Sequence, residues 1–280
     1  MKRVSLFVQS LEQEDFVEQW LWSDGAFSVS TMPPSNPDRR LEAVYEALDE
    51  SDFDQRLQQA AVHWPGEAPP ISICDIDPQD WQNNWRENFK PIQAGPFNLV
   101  GEWEGESSDD HTILIYPGQA FGTGQHETTR LVLEHMETLD LAGKRVLDIG
   151  CGTGILSIAA EKLGAAEVFG FDIDPDCREN MQHHLRINNS SKVTLEIGTL
   201  NDVNLPHPNY DLVLANITLN VLQTVWPQIP GLLAEGGHLI SSGILIEQKD
   251  TAEALLHEQG FTMYRHTGLG EWLLLAAQRR

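Results

Sequence analysis

The chain has 280 residues, of which 41% are hydrophobic and 21% are charged. This composition excludes a disordered or fibrous chain, and the length suits a core domain with a smaller satellite. The 42 acidic residues against 18 Lys and Arg give a net charge of −24, which repels a phosphate backbone and predicts no direct binding of nucleic acid. Two interpretations of the acidity remain open: it attracts a basic partner, or it keeps the protein soluble, for example in salt.

The histidines and the three cysteines (Cys74, Cys151 and Cys177) lack the spacing of metal ligands. This pattern fits a reducing compartment and predicts no metal site. The first fifteen residues hold too short an apolar run for a signal peptide, and no stretch approaches the roughly 18 apolar residues of a membrane span. We therefore expect a cytoplasmic protein without a membrane partner. The sequence does not specify the oligomeric state, and a monomer is the expectation.

Residues 1–76 predict a small domain of strands and helices. The predicted elements are strands over 4–8, 27–31, 41–46 and 71–76 and helices over 12–22 and 53–62. Prolines at 33–34 and 69–70 punctuate the pattern. The resulting order, βαββαβ, predicts a ferredoxin-like α+β unit.

Residues 77–111 are interpreted as a connector. Trp81, Trp85 and Phe89 recur at a spacing of four residues and predict one aromatic stripe on a helix. Such a stripe favours a helix packed between two domains over an aromatic ligand cage. Residues 101–111 are acidic and rich in turn formers, which predicts an exposed loop or hairpin.

Residues 112–280 alternate short apolar strands with helices. The predicted strands are 145–148, 168–172, 193–197, 212–215, 238–242, 261–266 and 272–277, and the predicted helices are 155–163, 176–188, 218–227 and 247–259. This alternation predicts a doubly wound, Rossmann-like parallel sheet. The last two strands predict a hairpin with Gly268 in its turn, which makes one edge of the sheet antiparallel and the last strand antiparallel to its neighbours.

The sharpest signal is a glycine turn between the strand at 145–148 and the helix at 155–163. Gly150, Gly152 and Gly154 stand as G-x-G-x-G, with the third glycine one residue earlier than in the G-x-G-x-x-G turn of dinucleotide-binding proteins. This tighter turn resembles the loop of class I methyltransferases, whose S-adenosylmethionine has no phosphate to cradle. We predict that the three glycines shape the bed of that cofactor.

Asp172 supports the prediction of a nucleoside site. It ends the next predicted strand, 22 residues after Gly150, where a carboxylate accepts the hydroxyls of an adenosine ribose. The alternative role, a cap for the following helix, suits Asp174 or Asp176 better.

A second glycine-rich segment spans residues 117–130. Its three glycines predict a loop that closes over the cofactor, with hydroxyls available to the methionine end. The candidate cofactor contacts in this segment are Phe121, Gly122, Thr123 and Thr129. His126 is a candidate catalytic residue near the transferred methyl group or the substrate, and the alternative is a loop histidine with ordinary hydrogen bonds.

Asn216 directly follows the strand predicted over 212–215. Ligands of α/β sheets bind at this carboxyl edge, and an Asn there offers its amide oxygen to a substrate N–H. The methyl acceptor has to be a neutral amine, because an ammonium has no lone pair and an unperturbed lysine titrates near 10.4. The alternative is an Asn that bonds its own turn.

Five motifs together resemble one family. They are F-G-T-G-x-H-x-T-T (121–129), D-I-G-C-G-T-G-I-L (148–156), A-N-I (215–217), W-x-x-x-W-x-x-x-F-x-P (81–91) and S-G-I-L (242–245). With these motifs, nearly the whole chain resembles the PrmA-type methyltransferases of large-subunit ribosomal protein eleven. One departure is Thr218, which replaces the usual Leu after A-N-I.

The resemblance implies a ferredoxin-like recognition domain (1–76), a connector (77–111) and a class I methyltransferase domain (112–280). It implies methylation of lysine ε-amines and of the N-terminal α-amine of a basic ribosomal protein, with cofactor contacts at Thr129, Gly150, Asp172 and Asn216. Three alternatives stay open: another protein substrate, a small-molecule substrate, and a non-catalytic module that binds S-adenosylmethionine or a nicotinamide nucleotide.

Overall fold

The computed structural model describes residues 1–26, 28–32, 39–45, 47–62, 64, 66–67, 69–77, 89–105, 109–116, 124, 126–175 and 177–279. The chain divides into two compact units, Met1–Asn88 and Phe89–Arg280. The boundary lies inside the predicted connector, because residues after Phe89 pair into a sheet of the second unit. The predicted connector helix with Trp81 and Trp85 lies outside the described residues.

The first unit contains a four-stranded antiparallel sheet. Its elements are β1 (Lys2–Val8), α1 (Leu11–Ser23), β2 (Ser28–Met32), β3 (Arg39–Tyr45), α2 (Glu50–Ala61) and β4 (Ile71–Asp75). The strand order is β2-β3-β1-β4, and the chain order βαββαβ is the one that the sequence predicts. Val4, Leu6 and Val8 alternate along β1 and share a buried core with Phe53 and Leu57 of α2.

The second unit begins with a three-stranded sheet that the sequence analysis did not predict. Its strands are β5 (Ile92–Ala94), β6 (Phe97–Gly101) and β7 (Thr112–Ile115), and β6 pairs with β5 in antiparallel and with β7 in parallel orientation. Phe89, the last aromatic residue of the predicted stripe, is buried and packs edge-to-face on Trp103, with ring centroids 5.9 Å apart. Residues 102–104 form a short 3-10 helix within the segment predicted as a loop.

A seven-stranded sheet forms the main layer of the second unit. Its strands are β8 (Arg145–Ile149), β9 (Glu167–Asp172), β10 (Val193–Ile197), β11 (Tyr210–Asn216), β12 (Leu233–Leu245), β13 (Phe261–Leu269) and β14 (Trp272–Arg279). The helices of this unit are α3 (Glu127–Met136), α4 (Ile155–Lys162), α5 (Cys177–Ile187), α6 (Leu219–Val225), α7 (Ile229–Leu232) and α8 (Lys249–Glu258). A 3-10 helix (Ile246–Gln248) follows β12.

The strand order β10-β9-β8-β11-β12-β14-β13 places a switch point at β8. The chain leaves β8 towards β9 and β10 on one side and returns to β11 on the other, and these strands are parallel. Because connections leave a switch point in opposite directions, a crevice opens at the carboxyl ends of β8 and β11. The glycine turn follows β8, and Asn216 ends β11.

The last two strands form the predicted hairpin, which makes one edge of the sheet antiparallel, but the predicted position of its turn was wrong. Within the hairpin, β14 pairs in antiparallel orientation with both β12 and β13, so that β13 is the edge strand. Gly268 lies within β13 opposite Leu273, and the turn consists of Gly270 and Glu271. Gly270 adopts a φ of +58°, a left-handed conformation that two-residue hairpin turns require and that glycine supplies without strain.

The outer edge of β7 is covered by two side chains rather than by another strand. One side chain belongs to α5, and the other belongs to the residue that follows this helix. Asn188 accepts from Leu114 N at 2.8 Å and donates to Leu114 O at 2.9 Å. His184, fully buried, accepts from Tyr116 N at 2.9 Å through Nε2. Burial lowers the pKa of His184 to about 4, so the ring is neutral, as this acceptor role requires.

Candidate functional site

The glycine turn after β8 is shaped by left-handed backbone. The φ angles of Gly150, Gly152 and Gly154 are +70°, +50° and +78°. A Cβ on Gly150 would lie 2.3 Å from Ile217 Cγ2, so the turn excludes any side chain there. The fold therefore requires glycine at position 150, both for the backbone conformation and for the close packing against Ile217.

The backbone N–H groups of this turn already have acceptors within the protein. Those of Gly150 and Cys151 donate to Phe171 O at 2.9 and 3.1 Å, that of Gly154 donates to Cys151 O at 2.8 Å, and that of Gly152 donates to Asp172 Oδ2 at 2.8 Å. A pyrophosphate needs free N–H donors at a glycine turn. These four N–H groups are therefore not available to a phosphate, and the turn is compatible with a ligand that lacks phosphate.

Asp172 lies at the carboxyl end of β9 with its carboxylate held in place. Its Oδ1 accepts from Asp174 N at 3.1 Å, and its Oδ2 accepts from Gly152 N. Each carboxylate oxygen has a second acceptor site, so the oriented group retains capacity for two hydroxyls. The next residue, Ile173, is 68% exposed and presents an apolar surface beside it.

Asn216 and Thr129 meet although they are far apart in the sequence. Asn216 Nδ2 donates to Thr129 Oγ1 at 3.4 Å, and Thr129 is fully buried. Asn216 Oδ1 is buried and has no hydrogen-bond partner among the residues that the structure describes. Because an unpaired buried acceptor is costly, this oxygen is a strong candidate for a ligand contact.

His126 begins the helix that carries Thr129. Its Nδ1 accepts from Thr128 N at 3.2 Å and lies 2.8 Å from Thr128 Oγ1. The ring packs edge-to-face on Trp272, with centroids 4.9 Å apart. Burial lowers the pKa of His126, and its Nδ1 accepts the Thr128 N–H as a cap of the helix. Trp272, which packs on the ring, was not among the predicted site residues.

Asp148 is a second residue that the sequence analysis missed. It is fully buried, its Oδ2 accepts from Ser157 Oγ at 2.6 Å, and its Oδ1 has no hydrogen-bond partner within the described ranges. Burial raises the pKa of Asp148 to about 7, with a further contribution from the charge of Asp172. The signal was present in the sequence, because a carboxylate inside an apolar strand is costly unless it has a function.

The remaining predicted contacts, Phe121, Gly122 and Thr123, lie outside the described residues. Gly124 is described and buried, and a Cβ there would overlap Leu99 Cδ1 at 2.2 Å. Within the described ranges, no group of three His, Cys, Asp or Glu side chains has the arrangement of a metal site. None of the helices in those ranges has the length and apolar character of a membrane span.

Similarity to known proteins extends over almost the whole chain. The family model described as ribosomal protein L11 methyltransferase (PrmA) matches residues 7–280. The ribosomal protein L11 methyltransferase of Pseudomonas paraeruginosa is 35% identical over 96% of this chain and 95% of its own, and that of Agathobacter rectalis is 31% identical over 99% and 92%. A crystal structure of the ribosomal protein L11 methylase from Lactobacillus delbrueckii subsp. bulgaricus is 31% identical, with a TM-score of 0.63 over 69% of this chain and 100% of that one.

Proposed function

We propose that this chain, which belongs to the ribosomal protein L11 methyltransferase family, methylates lysine ε-amines and the N-terminal α-amine of ribosomal protein L11. The second unit has the class I methyltransferase fold, and the cofactor is S-adenosylmethionine. The observation that carries the proposal is the buried, unpaired Oδ1 of Asn216, an acceptor placed at the sheet edge where ligands bind.

The described residues fit S-adenosylmethionine in charge and in hydrogen-bonding capacity. Asp172 would accept the ribose hydroxyls, and Gly150, Gly152 and Gly154 would let the ligand approach bare backbone. Thr129 would face the methionine end together with Phe121, Gly122 and Thr123. Two carboxylates, Asp148 and Asp172, favour a cationic ligand over an anionic one. When bound, the cofactor would supply an electrophilic methyl group on a sulfonium, so that an amine lone pair could form the N–C bond as the C–S bond breaks and neutral S-adenosylhomocysteine leaves.

Asn216 would orient the methyl-accepting amine. Its Oδ1 accepts one amine N–H, which directs the nitrogen lone pair away from the amide and fixes the angle of attack. Because the acceptor at this position is a neutral amide and not a carboxylate, it does not stabilise the ammonium form of the substrate, which cannot attack. Positioning of this kind supplies much of the rate enhancement in direct displacement reactions. His126, neutral and backed by Trp272, would form one wall beside the amine.

We further propose that the first unit recognises the ribosomal protein and that the enzyme acts in the cytoplasm as a monomer. The net charge of −24 supports a basic protein partner, because opposite charge speeds the encounter, and opposes direct contact with nucleic acid.

The test is methyl transfer from isotopically labelled S-adenosylmethionine to purified L11, read by mass spectrometry, with total lysate protein and lysate small molecules as parallel acceptors. We expect label on L11 lysines and on its N-terminus. Asn216→Ala should lower kcat by about tenfold to a hundredfold, because it removes the amine's acceptor. Label on other proteins alone, on small molecules alone, or nowhere would contradict the proposal.

Cofactor selectivity has a separate test by calorimetry. Asp172→Ala should weaken S-adenosylhomocysteine binding at least about a hundredfold, because it removes the acceptor of two ribose hydroxyls and hydrogen bonds to a charged acceptor are worth about 1.5–3 kcal/mol each. Asp174→Ala removes the neighbouring carboxylate and should leave the affinity within about twofold. Wild-type protein should not bind NAD, and tight NAD binding would contradict the assignment.

A further inference from the structure

Ile217, the residue after Asn216, packs closely against two glycines. Its side chain lies against Gly150, where an added Cβ would overlap Ile217 Cγ2. Its backbone lies against Gly243, where an added Cβ would stand 2.6 Å from Ile217 O, 2.8 Å from the carbonyl carbon and 3.2 Å from the nitrogen. Three of the five sequence motifs, the glycine turn, A-N-I and S-G-I-L, therefore meet at this one residue.

Gly243 lies in a β-bulge of β12. Ser241 pairs with Leu275 of β14 and Ile244 pairs with Leu273, so β12 advances three residues where β14 advances two. Gly243 adopts a φ of +80°, a conformation that glycine adopts without strain and that recurs in bulges. A bulge bends its strand and changes the direction of nearby side chains, and bulges are frequent beside active sites.

The bulge lies directly beside Asn216. Asn216 ends β11, and its partner in β12 is Ser242, the residue before Gly243. Ser242 is fully buried, and its Oγ donates to Leu273 O of β14 at 3.0 Å. Pairing to β11 and this bond to β14 therefore fix the position of the bulge relative to both neighbouring strands.

The bare backbone of Gly243 lets the peptide of Ile217 approach β12 closely. A side chain at position 243 would overlap backbone atoms, so Ile217 would have to move away from β12. The peptide that joins Ile217 to Asn216 would move with it. Asn216 Nδ2 donates to Thr129 Oγ1 at 3.4 Å, near the upper limit for a hydrogen bond, so a small displacement of the backbone breaks this contact.

We infer that Gly243 is a positioning residue for methyl transfer: through the backbone of Ile217 it sets where Asn216 presents its amide oxygen to the methyl-accepting amine. The inference rests on the proposed function, since that function gives Asn216 its contact with the amine. Placement of this kind matters because a displacement of about 1 Å at the reacting atoms costs on the order of a hundredfold in rate.

Gly243→Ala tests the inference, with Gly260→Ala as the matched control. Gly260 has a φ of +83°, and within the described part of the chain an added Cβ there would meet no atom within 4 Å beyond its chain neighbours. Alanine at position 260 thus meets the same backbone strain without the overlap. With L11 and saturating S-adenosylmethionine, Gly243→Ala should lower kcat about tenfold and keep KM for L11 within about threefold, whereas Gly260→Ala should keep both within about twofold.

A double-mutant cycle separates the positioning of Asn216 from a general disturbance of the fold. If Gly243 acts through Asn216, Gly243→Ala should change kcat by less than about twofold in a chain that already carries Asn216→Ala. A substitution that only destabilises the sheet would lower kcat by the same factor in both backgrounds. Equal factors in the two backgrounds would overturn the inference.

Nuclear magnetic resonance of protein with isotope-labelled asparagine gives a readout that does not depend on activity. The side-chain amide signal of Asn216, identified by its loss in Asn216→Ala, should shift in Gly243→Ala and keep its position in Gly260→Ala. If Gly243→Ala does not fold, Ser242→Ala replaces it, because this change releases the bulge from Leu273 O without adding an atom. It should shift the same signal.

An Asn216 signal that keeps its wild-type position in the folded variant would contradict the positioning role. Failure of the proposed function looks different. In that case Asn216→Ala leaves methylation of L11 unchanged while the amide signal still shifts in Gly243→Ala, so the two failures are distinguishable.

Discussion

At the scale of single residues, Asp148 shows how burial sets a charge state. In this fully buried site Asp148 Oδ2 accepts from Ser157 Oγ, and Oδ1 has no hydrogen-bond partner in the part of the chain that the structure describes. Burial raises its pKa from 3.8 to about 7. A carboxyl with a raised folded-state pKa stabilises the fold at acid pH, and this contribution is lost as pH rises from about 4 to 7.

We therefore expect Asp148→Asn to stabilise the unliganded protein at pH 8, by on the order of 2 kcal/mol, because Asn removes the buried charge and still accepts from Ser157. The gain should be much smaller at pH 5, where the folded protein holds Asp148 protonated, and it should disappear only below about pH 4, where the unfolded chain is protonated as well. Melting temperatures at both pH values measure this, with the exposed Asp110→Asn as the control. A gain independent of pH, or a loss at pH 8, would show that the charge is compensated.

At the scale of elements, the contact between β7 and the end of α5 replaces a strand partner. Asn188 satisfies both the N–H and the C=O of Leu114, and His184 satisfies the N–H of Tyr116. The two side chains are four residues apart and thus share one helix face. This contact holds the strand that leads directly into residues 117–123, and it depends on a neutral His184.

Asn188→Ala should lower the melting temperature of the protein by about 5–10 °C. The change leaves a backbone N–H and C=O of β7 without partners, at about 1–3 kcal/mol each, and 1 kcal/mol corresponds to about 2–4 °C at this size. Differential scanning calorimetry measures the shift, and the exposed Asn201→Ala should change it by less than about 1 °C. An equal shift in the two variants would argue against the bridging role.

At the scale of the whole molecule, the two compact units suggest a division of labour. The residues proposed to hold cofactor and amine all lie in Phe89–Arg280, and the Lactobacillus delbrueckii structure matches only 69% of this chain while being covered completely. We propose that cofactor binding resides in the second unit and that protein recognition needs both units.

A chain consisting of residues 89–280 is expected to bind S-adenosylhomocysteine within about twofold of the full chain. Its kcat/KM for L11 should fall at least about tenfold, since the proposed recognition surface of the first unit is lost. Circular dichroism confirms folding of the shortened chain, and calorimetry and methyl transfer measure the two properties. If the shortened chain methylated L11 at the full-length rate, the first unit would have no role in substrate recognition.

The sequence predicted the glycine turn well because its determinants are local. An apolar strand, three glycines and an apolar helix follow one another, and the structure places the strand at Arg145–Ile149 and the helix at Ile155–Lys162. The prediction of β12 was too short, 238–242 against Leu233–Leu245. Gly236 and Gly237 weaken the local strand signal, whereas pairing with β11 and β14 extends the strand.

Elements that depend on distant partners escaped prediction. β5 and β6 are short, and β6 forms a ladder with β7 across the segment interpreted as a loop. The position of β14 between β12 and β13 also follows from pairing rather than from any residue within the strand. Local propensity carries no information on such pairing, because it is decided by burial of whole strands.

The sequence by itself determined the order of elements in the first unit, the strands of the large sheet, the family and the turn that glycine makes possible, since each depends on neighbouring residues. Only the tertiary structure brought Asn216 Nδ2 to 3.4 Å from Thr129 Oγ1, left the opposite amide oxygen unpaired, and buried Asp148 beyond the reach of water. These features depend on contacts between segments that are far apart in the sequence and on the exclusion of water between those segments. Neither the contacts nor the exclusion of water exist until the sheet is assembled.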